Sequence, residues 1–163
     1  SVVMMTEADW SMAAEPAISQ DYPKPIRHLS ASDGSTLNLG RTRLRFFQTP
    51  GETPGVLSTR FTVYDNGYPH EAFLFGGADL NFAGIQQTEL YINSVERLMQ
   101  LEGIEVNIPN HPEFGEVFER YEILREREDG DFHPFVDPES WDAWLEILML
   151  NAQAKLERER LAN

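Results

Sequence analysis

Cysteine is absent from the 163 residues, which excludes a disulfide framework and any thiolate metal site. Basic side chains are scarce: thirteen Lys and Arg stand against 27 Asp and Glu, a formal charge of -14 that repels phosphate backbones and anionic membrane surfaces. Neither nucleic acid nor a membrane is an expected partner. Long apolar runs are missing as well, so no segment reaches the roughly 20 residues of a membrane-spanning helix. No basic stretch followed by an apolar one marks a signal peptide in this segment. What remains, 41% hydrophobic and 25% charged, is ordinary for one globular domain with a real core. The chain opens without an initiator Met on Ser1-Val2-Val3-Met4-Met5, a short apolar run like a buried strand entered midway, and reads as a fragment or a processed product.

Glu7 to Met12 predicts a short helix, and the Pro-rich stretch from Glu15 to Pro25 a surface loop. Hairpins follow: Arg27 to Ala31, a turn at Ser32-Asp33-Gly34-Ser35, Thr36 to Leu39, a Gly40 turn, and Thr42 to Gln48 with alternating Leu44 and Phe46. Gly55 to Tyr64 and Glu71 to Phe75 flank Asp65 to His70, whose Asn66-Gly67 favours a tight reversal. The period then changes. Ile85, Thr88, Ile92, Val95 and Met99 step by three and four, an amphipathic helix that Gly103 is placed to stop. Ile104 to Ile108 alternates like one more strand, and Phe114 to Glu128 reads as a helix with a charged outer face before a turn at Asp129-Gly130-Asp131. Asp137-Pro138 supplies an N-cap and a first-turn proline for a helix carrying Trp141, Trp144, Leu145, Leu148, Ala152 and Leu156 on one side. Strands followed by helices point to an α+β layer.

Two residues stand out chemically. Glu52 sits in Thr49-Pro50-Gly51-Glu52-Thr53-Pro54-Gly55, where the prolines remove backbone freedom and the glycines permit close approach. On residue grounds alone it is either an exposed turn glutamate or a ligand held on a rigid loop. His111 lies in Pro109-Asn110-His111-Pro112, just past an apolar strand, where flanking prolines can aim an imidazole into a cleft at the sheet edge. His28, in a strand, and His70, in a hairpin loop, read as packing or solvent-contact residues, and His133, before a helix cap, as structural.

The ordered series Asp33-Gly34, Leu39-Gly40, Thr49 to Gly55, Ser58 and Phe75-Gly76-Gly77 resembles the metallo-β-lactamase fold superfamily. The usual form of its loop is Thr-Pro-Gly-His-Thr-Pro-Gly. Asn110-His111-Pro112-Glu113-Phe114 and His133-Pro134-Phe135-Val136 further resemble the third subclass of zinc β-lactamases and their relatives. The resemblance implies a four-layer αββα sandwich, of which residues 1–163 form a single partial domain, the C-terminal half, with an antiparallel-rich sheet and covering helices. It implies one or two zinc ions at one edge of two facing sheets and hydrolysis of a β-lactam or similar cyclic amide or ester through metal-bound hydroxide. By position His111 matches a family histidine of the second metal, and Glu52 falls where the first metal takes a histidine. Asp79 matches a polar position beside the second metal, and Asn81 one that can meet a substrate carboxylate.

The same resemblance implies metal ligands that these residues lack, because the family's His-x-His-x-Asp-His run lies upstream of this region and does not occur in it. Glu52 in place of imidazole adds negative charge, which lowers the metal's Lewis acidity and disfavours anionic substrates. Three readings follow: a zinc β-lactamase-type hydrolase whose segment alone is inactive, a hydrolase of another ester, lactone or thioester on the same fold, and a non-catalytic binding domain that has lost its metal site. The missing N-terminal half would be the chain's first partner and a small molecule its substrate, with a periplasmic or secreted location as in relatives of this kind. Without that half the chain should expose an apolar sheet face and bind partners or aggregate.

Overall fold

The computed structural model describes residues 1–15 and 23–162. Most of the expected Glu15 to Pro25 loop lies outside the described residues. The chain begins with β1 (Met4–Met5) and α1 (Glu7–Ala13), whose Thr6 cap accepts from the Asp9 amide. β2 (Leu29–Ser30) pairs with β1, and the two run parallel. The antiparallel hairpin expected from Arg27 to Ala31 with the next strand therefore does not form. The Leu29 and Ala31 amides donate instead to Val3 and Met5 carbonyls, and the Ser32 to Ser35 turn sends the chain into a different sheet.

That second sheet carries the molecule. β3 (Thr36–Leu39), β4 (Thr42–Gln48), β5 (Leu57–Asp65) and β6 (Tyr68–Phe75) follow one another as antiparallel neighbours. β7 (Val106–Pro109) adds to β6 in parallel, with Phe75 opposite Pro109. Parallel pairing needs a crossover, and α2 (Ile85–Leu98) supplies it, ending at Leu98, several residues before Gly103. The β5–β6 turn is tighter than expected, Asn66-Gly67 alone with both residues at positive φ. His70 consequently stands in β6, opposite Val63, and not in a loop. The expected helix from Phe114 to Glu128 splits into a 3-10 turn, Pro112–Phe114, and α3 (Val117–Glu126). The break falls at Gly115-Glu116, where Glu116 takes a left-handed φ of 52°. α4 (Pro138–Leu161) starts as expected, Asp137 Oδ1 accepting from the Ser140 amide at 3.2 Å.

Side-chain alternation decides where the core sits. Phe47, Phe73 and Phe75 point to the face covered by α2 and α4 and meet Tyr91, Val95, Leu98, Trp141, Leu145, Leu148 and Ala152. Phe73 lies 5.1 Å from Trp141 between ring centroids, in a tilted pair. Each Phe, Leu or Val side chain taken from water there contributes about 1.5–3 kcal/mol. The opposite face is also apolar: Leu37, Leu44, Phe61, Val63, Leu74 and Ile108 share it by register and are half-buried.

Candidate functional site

The register brings three connections to one end of the sheet. β4 ends and β5 begins at the paired Gln48 and Leu57, and β6 and β7 end at the paired Phe75 and Pro109. The 49–55 loop, the Gly76-Gly77 turn and Asn110-His111 all leave from there.

The doubled Thr-Pro-Gly loop is fastened on two sides. On one side α1 holds it: Asp9 accepts from Thr53 Oγ1 at 3.0 Å and from the Gly55 amide at 2.9 Å, while Thr6 Oγ1 donates to the Gly55 carbonyl at 2.9 Å. On the other side α2 holds it: Ser94 Oγ donates to the Pro50 carbonyl at 2.7 Å, and Gln87 Nε2 donates to the Gly51 carbonyl. Thr49 is buried and shares a 2.6 Å hydroxyl hydrogen bond with Ser58, whose Oγ also accepts from the Gly76 amide. The glycines are required by proximity. A Cβ on Gly51 would lie 2.7 Å from the Tyr91 ring, and one on Gly55 1.9 Å from Thr6 Oγ1. The repeated motif therefore makes a rigid platform that presents a single carboxylate.

That carboxylate, Glu52, is half-buried and lies above the second turn, its Cβ 3.6 Å from where a Gly77 Cβ would stand. Its Oε1 accepts from Asn81 Nδ2 at 3.3 Å. Asp79 is half-buried in the same turn and caps the Leu80 amide with its Oδ1 at 2.7 Å. Tyr91 is fully buried beneath this end of the sheet. Its hydroxyl donates to the Ala78 carbonyl at 3.0 Å, and its pKa is pushed far above the usual phenol range, chiefly by burial and then by the negative charges of Asp79 and Glu52.

His111 stands on the neighbouring connection. Asn110 Nδ2 donates to the Gly76 carbonyl at 2.8 Å and so ties this connection to the Gly76-Gly77 turn. The imidazole packs edge-on to Phe114 at 5.5 Å, and its Nδ1 lies 3.7 Å from Glu113 Oε1. The structure thus joins Glu52 to Asn81, with Asp79 two residues earlier in the same connection and His111 on the adjoining loop. His133 lines a cleft with Pro109 and Pro112 and accepts from the Phe135 amide through Nδ1 at 3.3 Å.

Zinc in a catalytic site takes three protein ligands. Among the described residues no group of three or more His, Asp or Glu side chains is placed to hold a metal ion. Glu52 and His111 therefore do not make a zinc site by themselves.

Sequence reasoning passed over Asp9, Tyr91 and Asn110. Asn110 lay within a motif already marked, so its strut role was within reach. Tyr91 falls in the helical register of α2, where an aromatic reads as core. Asp9 acts across more than forty residues, and no local pattern announces it.

No protein-family profile matches the chain, and no curated protein matches it. Solved structures do. The subclass B3 metallo-β-lactamase BJP-1 of Bradyrhizobium japonicum superposes with a TM-score of 0.83 at 21% identity, over 99% of this chain and 65% of its own. Native FEZ-1 metallo-β-lactamase from Legionella gormanii gives 0.86 at 20%, over 98% and 66%. A Cronobacter sakazakii metallo-β-lactamase with a HARLDQ motif gives 0.83 at 17%, over 99% and 67%. The chain has the metallo-β-lactamase fold and spans about two thirds of the length of these proteins.

Proposed function

We propose that the chain is the C-terminal part of a zinc-dependent hydrolase of metallo-β-lactamase type, acting on a β-lactam or a similar cyclic amide or ester. The supporting observation is the convergence of the 49–55 loop, the Gly76-Gly77 turn and the Asn110-His111 connection at one sheet end, on a fold shared with metallo-β-lactamases. In this reading Glu52 and His111 each contribute one ligand, and residues beyond these 163 contribute the others. The zinc would supply an activated water. This chain's own residues bind and orient: Asp79 would lie beside the second metal and Asn81 would meet a substrate carboxylate, while Asn81 Nδ2 donates to Glu52 Oε1. The segment alone is inactive, and the whole protein is exported to the periplasm or secreted. Among the described residues, no helix is long and apolar enough to cross a membrane.

The test is metal content and turnover of the full-length protein with a chromogenic cephalosporin. At least one zinc per chain is expected. His111→Ala should lower turnover by at least the ~100-fold that loss of an outer-shell partner can cost. Glu52→His should raise zinc content and turnover of anionic substrates by removing a negative charge. Metal without β-lactam turnover would move the assignment to another ester, lactone or thioester on the same fold.

One observation favours a second reading. Glu52 is already engaged by Asn81, and no third donor joins it and His111 among the described residues. A fold kept as a binding module after loss of its metal would hold Glu52 in this way. Less than one zinc per full-length chain, together with no effect of His111→Ala on ligand binding or stability, would establish it over the first.

A further inference from the structure

The helices do not cover the whole width of the sheet face that carries Phe47 and Phe73. Toward β3 that face bears Thr36, Arg43, Arg45, Arg60, Thr62 and Glu71, which line an open groove of about 440 Å³. The register places Arg45 directly opposite Arg60, with Thr36 on its other flank. Arg43 lies two residues along β4 on the same face. Like charges directly opposite each other across a sheet destabilise it.

The nearby carboxylates are already engaged. Glu71 receives Arg60 Nε and Thr62 Oγ1, both at 2.8 Å, and Asp33 receives the two terminal nitrogens of Arg97 at 2.8 and 2.9 Å. The Arg45 guanidinium rests over the Phe47 ring at 5.3 Å, a ring that Arg97 also approaches at 5.5 Å. Among the described residues, neither Arg43 nor Arg45 forms an ion pair with a carboxylate. A chain of net charge -14 therefore gathers unpaired guanidiniums in one groove, against its overall potential.

We propose that this groove binds a phosphate group. Two unpaired guanidiniums match the two negative charges of a phosphate monoester, whereas a carboxylate needs only one. The guanidinium fork presents paired N–H donors that phosphate oxygens accept bidentately, and the Thr36 hydroxyl is a further donor on the same flank. Glu71 already offsets the Arg60 charge, so the phosphate would sit against Arg43 and Arg45 on the β3 side of the groove. The site is separate from Glu52 and His111 and stands whether or not the hydrolase reading does.

The test is calorimetric titration of the full-length protein with inorganic phosphate at low ionic strength, with chloride as control, alongside amide chemical-shift mapping. Saturable binding is expected, with shifts at Thr36, Arg43, Arg45 and Arg60. Arg45→Gln should weaken binding on the order of tenfold, as expected for one lost charge-assisted contact, and the Arg43→Gln, Arg45→Gln double variant should abolish it. Arg45→Lys, which keeps charge and loses the fork, should fall between. Circular dichroism melts check that the variants remain folded, and the shift mapping decides the matter without any variant. No saturable heat, shifts confined to other surfaces, or equal affinity in the folded double variant would overturn the proposal.

Discussion

Asp9 is 44 residues from Thr53 in sequence, yet its carboxylate holds the Thr53 hydroxyl and the Gly55 amide together. Removing it leaves both donors without that partner and frees one wall of the platform under Glu52. Asp9→Ala should cost about 2 kcal/mol, the range for hydrogen bonds to a charged acceptor, read from the denaturation midpoint. Gly55→Ala should cost about 3 kcal/mol or more, because its Cβ would overlap Thr6 Oγ1 and crowd the Asp9 carboxylate, two side chains already committed to holding the loop. At this scale the sequence was informative where chemistry is local. Thr-Pro-Gly-Glu-Thr-Pro-Gly announces a stiff turn with one acid, and Asn110-His111-Pro112 a second polar corner. The clamps on that turn, Thr6, Asp9, Gln87 and Ser94, come from two distant helices, and tertiary packing alone joins them to it.

Among the elements, ion pairs join strands, helices and their connections. Arg97 of α2 holds Asp33, in the turn before β3, and draws its carboxyl below the usual range, chiefly through their hydrogen bonds. Arg60 of β5 does the same to Glu71 of β6, aided by the Thr62 hydroxyl, and Arg127, just past α3, does it to Asp65 at the end of β5. A carboxyl whose folded pKa is depressed contributes stability above its unfolded value of about 4, and loses it as pH falls through the lower folded value. Stability should therefore be level from neutral pH down to about 5 and decline below about 4. Arg97→Gln should flatten part of that decline. Urea titrations across pH 2–7 measure both effects.

Most elements were legible because their periods are clean: β4 alternates, α2 and α4 step by three and four, and Asp137-Pro138 caps as its chemistry requires. The errors have physical causes. Arg27 to Ala31 has strand composition, but its partner is the parallel Met4–Met5, a pairing that sequence adjacency hides. The Phe114 to Glu128 helix is interrupted because Gly115 packs against Pro109, where a Cβ would come within 2.6 Å of the proline ring, and Glu116 then turns left-handed.

For the whole molecule, the sheet has two apolar faces, and α2 and α4 lie on one of them. The other bears half-buried Phe61, Val63, Leu74 and Ile108 beside a cleft of about 450 Å³ that Val117, Phe135 and Val136 also line. Made alone, the 163 residues should bind a hydrophobic dye and self-associate, increasingly so as salt screens the -14 charge. Val63→Lys should reduce both effects. Dye fluorescence and light scattering across a salt series read the outcome, and a dark, monomeric chain at high salt would show that face to be satisfied.

The parallel seam between β6 and β7 sets an order of assembly. β3 to β6 close through short reversals, whereas β7 reaches β6 only after the thirty-residue passage from Phe75 to Val106 that contains α2. Loop closure favours the hairpins first. Substitutions such as Phe61→Ala should slow refolding, while Ile108→Ala should mainly speed unfolding, as chevron kinetics would resolve. The corner holding the imidazole is then the last to be built and the first to come undone.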